Sequence, residues 1–235
     1  MKSALILGGT KGIGRAISLA LIEKDYDVTV IYGHDHNAAR ELFLNTIKKG
    51  NLRAVQADLS TANGYNKFIL DQTQRWDCVV FNVGITDSTP FGEISYDFIH
   101  KVMDTNVILP FLALQQISNQ INDNGRIIFI SSILGIYPHA RSIFYGVSKA
   151  AINALVKNMV KYLSRGITIN AIAPGFCDTD WHNSKSPERI EFIKNKIALH
   201  RFATPEEVAS LCMEVINNQY LNGQILEISG GYSYE

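Results

Sequence analysis

Short apolar runs alternate with longer stretches of helical period from one end of the chain to the other. The runs at 4–7, 28–32, 53–57, 78–81, 126–130, 168–173 and 224–228 read as strands. Between them, apolar positions at helical spacing predict helices near 13–24, 38–49, 65–74, 95–119, 143–163 and 205–217. The strand runs are nearly continuous in apolar residues, as expected when both faces of a parallel sheet are covered. Strand–helix–strand repetition with no linker or low-complexity break predicts a single α/β domain over 1–235, a doubly wound parallel sheet of about seven strands flanked by helices.

Composition narrows the setting. The 235 residues are 46% hydrophobic and 19% charged, with 22 basic and 22 acidic side chains, so no basic surface for nucleic acid is expected. No apolar run reaches the roughly 18 residues that span a bilayer, and the amino terminus lacks a cleavable signal pattern. Cys78, Cys177 and Cys212 are too dispersed for a disulfide framework or a zinc site, and a reducing cytoplasm is the expected compartment. His34-Asp35-His36 and the group Asp178, Asp180, His182 have metal-ligand types, but polar loops often produce such clusters, and no metal is assigned.

The first strand runs into Gly8-Gly9-Thr10-Lys11-Gly12-Ile13-Gly14, a glycine-rich turn that opens a helix inside a strand–helix–strand unit. Glycines there let backbone approach a pyrophosphate, whose charge is favoured at the helix amino end. This is the context of a Rossmann-type dinucleotide site. An acidic residue ending the second strand would hold a ribose 2′-hydroxyl and repel a 2′-phosphate. Here the strand ends Tyr32-Gly33-His34, with no carboxylate before Asp35, and Lys11 places a cation in the turn. Both features favour NADP(H) while leaving NAD(H) open.

Other chemistry sits at the carboxyl ends of later strands, where open α/β sheets bind ligands. Asp58, followed by Leu59, either accepts from an adenine amino group or caps its own turn. Asn82 and Gly84 follow the fourth strand. Asn106 stands inside a helical segment that asparagine disfavours, which implies a functional role or a buried hydrogen bond. Ser132 ends the fifth strand run, and Tyr145 and Lys149 lie four apart, one helical turn, on a common face. A phenol, a primary amine and a nearby hydroxyl make a proton-transfer device.

Taken together and in order, these motifs resemble the short-chain dehydrogenase/reductase family over essentially the full length. Gly8-x3-Gly12-Ile13-Gly14 matches the cofactor turn, Asn82-Val83-Gly84 the Asn-Ala-Gly segment, and Asn106 the helix asparagine. Ser132, Tyr145 and Lys149 match the catalytic set, with its interval of thirteen from serine to tyrosine. Pro174-Gly175 and the following Phe176 to Asp180, including Thr179, match the segment beside nicotinamide. Within the family the pattern is most similar to 3-oxoacyl-(acyl-carrier-protein) reductases. Leu7, Phe81 and Val83 depart from the family's usual threonine, asparagine and alanine, and the stretch 119–124 lacks the cation such reductases tend to place before the fifth strand.

The resemblance implies that Tyr145 is the general acid in carbonyl reduction, Lys149 tunes it and holds the nicotinamide ribose, Ser132 polarises the carbonyl, and Asn106 holds a water next to Lys149. It implies a cytoplasmic homo-oligomer, dimer or tetramer, in fatty acid or polyketide biosynthesis. The substrate would be a small carbonyl or alcohol, with an acyl carrier protein as a possible carrier and no membrane or nucleic-acid partner. The stretch 177–204, with Trp181, Phe192 and Phe202, is expected to act as a substrate lid. The leading expectation is an NADPH-dependent ketoreductase on a 3-oxoacyl thioester. The alternatives are an NAD-dependent alcohol or steroid-type dehydrogenase, or a catalytically silent cofactor-binding regulator.

Overall fold

A computed structural model of the protein describes residues 1–46, 52–69, 74–86, 89–138, 142–163, 165–183 and 185–232. The chain runs β1 (Ser3–Leu7), α1 (Gly12–Ile22), β2 (Asp27–Tyr32), α2 (His36–Thr46), β3 (Leu52–Gln56), α3 (Ala62–Ile69) and β4 (Trp76–Phe81). It continues through α4 (Tyr96–Met103), a π-turn (Asp104–Ile108), α5 (Leu109–Ile117), β5 (Ile121–Ile130), α6 (Ile143–Met159) and β6 (Thr168–Pro174). It ends with α7 (Pro187–Asn195), α8 (Pro205–Asn217) and β7 (Ile225–Ile228). The expected helix ends at 47–49 and 70–73 lie outside the described residues.

All pairings among the described strands are parallel, in the order β3-β2-β1-β4-β5-β6-β7. Winding therefore reverses between β1 and β4, and a crevice opens there at the carboxyl edge. Alternate residues of each strand feed two cores. Ala4, Ile6, Cys78, Val80, Ile128 and Ile130 pack under α1 and α8. Leu5, Leu7, Val79, Phe81, Ile127 and Phe129 pack under α5 and α6. Phe81, one of the departures from the family pattern, stacks on Phe129 with ring centroids 4.5 Å apart and so fills the second core.

Two elements differ from the expected ones. The fifth strand begins at Ile121, not 126, because fully buried Ile121 pairs with Trp76 across a bulge and Asn122 donates to the Asp77 carboxylate at 2.9 Å. The polarity of 119–124 had read as a loop. The single expected helix 95–119 is instead two α-helices joined by the π-turn at Asp104–Ile108. Pro110 has no N–H to donate four residues back to the carbonyl of Asn106, so a regular α ladder cannot pass that point.

Ser186 and Thr204 are the N-caps of α7 and α8. The Ser186 hydroxyl accepts from the Arg189 N–H at 3.3 Å at the start of α7. At α8, Thr204 and Glu207 complete a reciprocal capping box, with Glu207 N–H donating to Thr204 Oγ1 at 3.3 Å and Thr204 N–H to Glu207 Oε2 at 2.8 Å. Since α8 packs its buried face on α1 beneath the cofactor turn, its start is a stability control. Thr204→Ala is expected to cost about 1 kcal/mol, a fall of about 2–4 °C in a thermal melt, with turnover at 25 °C unchanged. An unshifted melt would show that the box contributes nothing.

Candidate active site

The turn after β1 is shaped by its glycines. Gly8 and Gly12 hold φ of 81° and 49°, a region L side chains rarely adopt. A Cβ on Gly14 would lie 2.0 Å from the Gly8 carbonyl oxygen and 2.6 Å from the Asn82 amide nitrogen. That nitrogen donates to the Gly8 carbonyl at 2.8 Å, tying the turn to the end of β4. α1 opens at Gly12 with no side-chain cap and no acidic residue in its first turn. Gly8, Gly12 and Ile13 line a cavity of about 870 Å³, so the first-turn N–H groups of α1 open toward it. This cradle fits a dinucleotide pyrophosphate.

Across the cavity stand the hydroxyl, phenol and amine. β5 delivers Ser131 and Ser132 as its last pleats. Ser132 caps a short turn, accepting from Leu134 N–H at 3.2 Å, and hydrogen-bonds the Tyr145 phenol. Ser131 turns the other way, donating to Asn153 Oδ1 at 2.7 Å and fastening β5 to α6. One turn along α6, the buried Lys149 ammonium donates to the Ile130 carbonyl at 2.8 Å and lies 5.5 Å from the Tyr145 ring centre. Burial pushes the Tyr145 phenol up to about 12, against the opposing hydrogen bond from Ser132. Burial alone brings Lys149 down to about 8. Both shifts favour the neutral forms.

Asn106, at the centre of the π-turn, is buried and saturated with protein contacts. Its Oδ1 accepts from Ile85 N–H at 2.8 Å, and its Nδ2 donates to Ile85 O and Ser148 Oγ, both at 2.9 Å. It therefore braces the chain after β4 against α6, with both amide hydrogens committed. Gly84 sits between it and the lysine: a Cβ there would meet Asn106 Oδ1 and Lys149 Nζ, each at 3.4 Å.

The segment after β6 roofs the cavity. Pro174, Gly175, Phe176 and Thr179 line it, and Thr179 closes over Gly12, whose Cβ would stand 3.1 Å from the threonine methyl. Trp181 faces Tyr145 with ring centroids 6.3 Å apart. The base of this segment is clamped: Cys177 bridges to Ala203, Asp178 N–H donates to Ala203 O at 2.8 Å, and Ala203 N–H to Phe176 O at 2.9 Å.

These arrangements agree with independent likenesses. A family model described as short chain dehydrogenase matches residues 2–190. An uncharacterized oxidoreductase, YmfI of Bacillus subtilis (strain 168), is 31% identical over 238 residues, covering 98% of each chain. A 3-oxoacyl-(acyl-carrier-protein) reductase of Synechocystis is 34% identical over 239 residues, covering 97% of this chain and 95% of the relative. Among solved structures, the angucycline C-6 ketoreductase LanV with bound NADP superposes with a TM-score of 0.93 at 27% identity, covering 98% of this chain and 95% of its own. The chain belongs to the short-chain dehydrogenase family. It is accordingly an oxidoreductase of NAD(P)-dependent type.

Within this short-chain dehydrogenase, Gly8, Lys11, Gly12, Ile13, Asn82, Gly84, Ser132, Tyr145, Lys149, Pro174, Gly175, Phe176 and Thr179 share the one cavity. Thr10, Gly14, Leu59 and Asn106 are buried or packed behind its wall. His34 and Asp58 stand apart at the β2–β3 edge, 3.7 Å from each other. Asp58 also takes the capping role, accepting from Ser60 N–H at 3.0 Å and Ser60 Oγ at 2.7 Å. Lys11 is not a free cation: it is paired with Asp35, with Asp180 at 3.8 Å, and the Asp35 hydrogen bond raises its pKa. Sequence reasoning missed Lys185 and Arg189, which line the same cavity. Only their place just before and inside the capped start of α7 could have signalled them.

Lys149 offers a measurable linkage. Its pKa lies at about 8 in the folded chain against an ordinary value of 10.5, so between these values the unfolded chain binds the extra proton. Stability must then rise with pH across that window, by about 3 kcal/mol in total at 1.36 per unit. Denaturant titrations are expected to show the wild type gaining about this much relative to Lys149→Met between pH 8 and 10.5. A flat difference would mean that the amine is not desolvated as described.

Proposed function

We propose that the protein is an NADP(H)-dependent ketoreductase that reduces a ketone, most suitably a 3-oxoacyl thioester, in a cytoplasmic setting. The observation that carries this reading is the Ser132, Tyr145 and Lys149 group facing the glycine cradle across one cavity. In this reading Tyr145 is the proton donor, Ser132 orients the carbonyl oxygen, Lys149 supports the phenolate, and Asn106 positions Ile85 and Ser148 behind them. Bound NADPH supplies the hydride, and its oxidised ring a positive charge.

The protonation states favour the reductive direction. Hydride adds to the carbonyl carbon, the C=O π pair becomes the alkoxide, and the Tyr145 proton closes the alcohol. An alkoxide is a stronger base than a phenolate, so a phenol at about 12 is a competent acid. Running backward from a phenolate at neutral pH would require about 7 kcal/mol, at 1.36 per unit for five units.

The NADP(H) preference draws support from the relatives: LanV is described with bound NADP. Lys11 is the cation on offer to a 2′-phosphate, in exchange for Asp35. That same Asp35, at the end of the second strand and anchored by Ala38 N–H at 2.9 Å, is the observation that keeps an NAD-dependent dehydrogenase as the second reading. The lid role of 177–204 is supported by its clamped base and the aromatic residues above Tyr145. Exposed Ile108, Leu112 and Val147 on neighbouring helices form an apolar face suited to a second copy of the chain, which sedimentation velocity reads directly.

Tyr145→Phe is expected to remove nearly all NADPH-dependent ketone reduction, by at least about a thousandfold, with NADPH affinity within twofold of wild type. Activity retained in that variant would reject the assignment. Lys11→Ala is expected to weaken NADPH by roughly tenfold and NADH little, as for one charge-assisted contact. Equal losses in fluorescence titrations would remove the lysine from phosphate recognition and favour the second reading.

A further inference from the structure

The cavity carries more positive charge than its described acidic groups balance. Of the four basic side chains lining it, Lys149 is held on the Ile130 carbonyl and Lys11 is paired with Asp35 and Asp180. Lys185 and Arg189, both half-buried, have no carboxylate within ion-pairing distance among the described residues. Arg189 rests its guanidinium over the Phe192 ring at 4.9 Å. The Arg189 charge is felt at Lys185, and the Lys185 charge at His182, where Asp178 opposes it, so the three stand together. Glu188, on α7, is exposed and engaged by Ser186, and Glu191 is exposed; neither lines the cavity.

His182 adds an independent sign. Its Nδ1 is shut off from solvent and has no hydrogen-bond partner, while the ring is wedged against Phe176 and Phe202 at 5.7 and 5.0 Å. Burial, then the Lys185 charge, brings this imidazole down to about 4, so it is neutral near pH 7. A buried polar atom left without a partner costs about 1–3 kcal/mol and persists where a ligand or water satisfies it.

We propose that Lys185 and Arg189, with His182 Nδ1, form a subsite for an anionic group, a carboxylate or phosphate, carried by the ketone substrate. This rests on the ketoreductase reading and deepens it. Two sources offer such an anion, the substrate or the phosphates of the cofactor. Position favours the substrate: Thr179 covers Gly12 of the cradle, and in the chain the stretch Thr179 to His182 comes before the two cations. Trp181 in that stretch faces Tyr145, and Arg189 influences Tyr232 in the apolar cluster with Phe176 and Ile193. Two adjacent cations on a clamped segment also match the geometry of an oxyanion better than a single point charge does.

Matched ketone pairs test this. Sodium 4-oxopentanoate is compared with its methyl ester, and acetoacetyl coenzyme A with the uncharged acetoacetyl N-acetylcysteamine. In at least one pair the anionic member is expected to have a tenfold or greater advantage in kcat/KM. Lys185→Met and Arg189→Gln are each expected to cut that advantage about tenfold, Lys185→Arg to restore most of it, and NADPH affinity to stay within twofold throughout. An advantage absent in the wild type, or untouched by the variants, overturns the subsite. Loss of NADPH affinity in parallel would transfer the two cations to the cofactor and overturn it equally. If no ketone turns over, the ketoreductase reading fails, and binding then decides the subsite separately. Titrating inorganic phosphate and 4-oxopentanoate while following the His182 ring by NMR should raise its pKa from about 4 by a unit or more, and an unmoved pKa with both probes rejects the proposal.

Discussion

The hydrogen bond from the Asn82 side-chain amide to the Gly8 carbonyl at 2.8 Å, beside the Asn82 N–H bond to Leu7 O at 3.0 Å, spans the point where the sheet reverses its winding. β1 and β4 are neighbours there, yet their following helices leave to opposite faces, so the two loop starts have no other covalent reason to stay in register. The bond closes that gap and leaves no room beside it. Gly14 must lack a side chain because the Gly8 carbonyl and the Asn82 amide occupy the place of its Cβ. The amino end of α1 is thereby aimed at the cavity, and Gly84, two residues past Asn82, is held between Asn106 and Lys149. Cofactor cradle and proton-transfer group are positioned from the same few atoms.

Much of this architecture was readable from period and order. Continuous apolar strands, glycines at a helix opening and polar residues at strand ends are local signals, and the fold repeats them seven times. The misreadings arose where a distant partner overrode a local cue. Asn119 to Asn124 looks like a loop until Trp76 and Asp77 supply pairing for Ile121 and Asn122. The helix through 95–119 looks unbroken until Pro110 removes the donor facing residue 106. Asparagine inside that helix was the clue that something other than propensity decides there. Its contacts with Ile85 and Ser148, 21 and 42 residues away in sequence, could not be inferred from spacing.

Charge was less legible than shape. Lys11 reads as a phosphate ligand on its own, but folding brings Asp35 and Asp180 to it and makes its availability an exchange. Asp58 had two readings, an adenine acceptor or a cap of its own turn; it makes the cap with Ser60 and stands 3.7 Å from His34. Lys185 and Arg189 carry no motif at all. They acquire meaning only because the roof segment lays them against a cavity whose other basic groups are already held, Lys11 by carboxylates and Lys149 by a backbone carbonyl.

The two buried lysine environments show how burial sets function in this chain. Lys149 has a backbone carbonyl as its only hydrogen-bond acceptor at 2.8 Å and sits near neutrality between charged and uncharged forms. A carboxylate beside it would have fixed the ammonium in a salt bridge of its own. Without one, the amine can respond to charge that appears on the phenol during proton transfer and then return to its resting state. The same absence of a fixed counter-ion around Lys185 leaves an open demand that a ligand's anion can meet. Among the described residues no carboxylate fixes the charge in either place, which is what the proposed reduction and the proposed anion subsite both require.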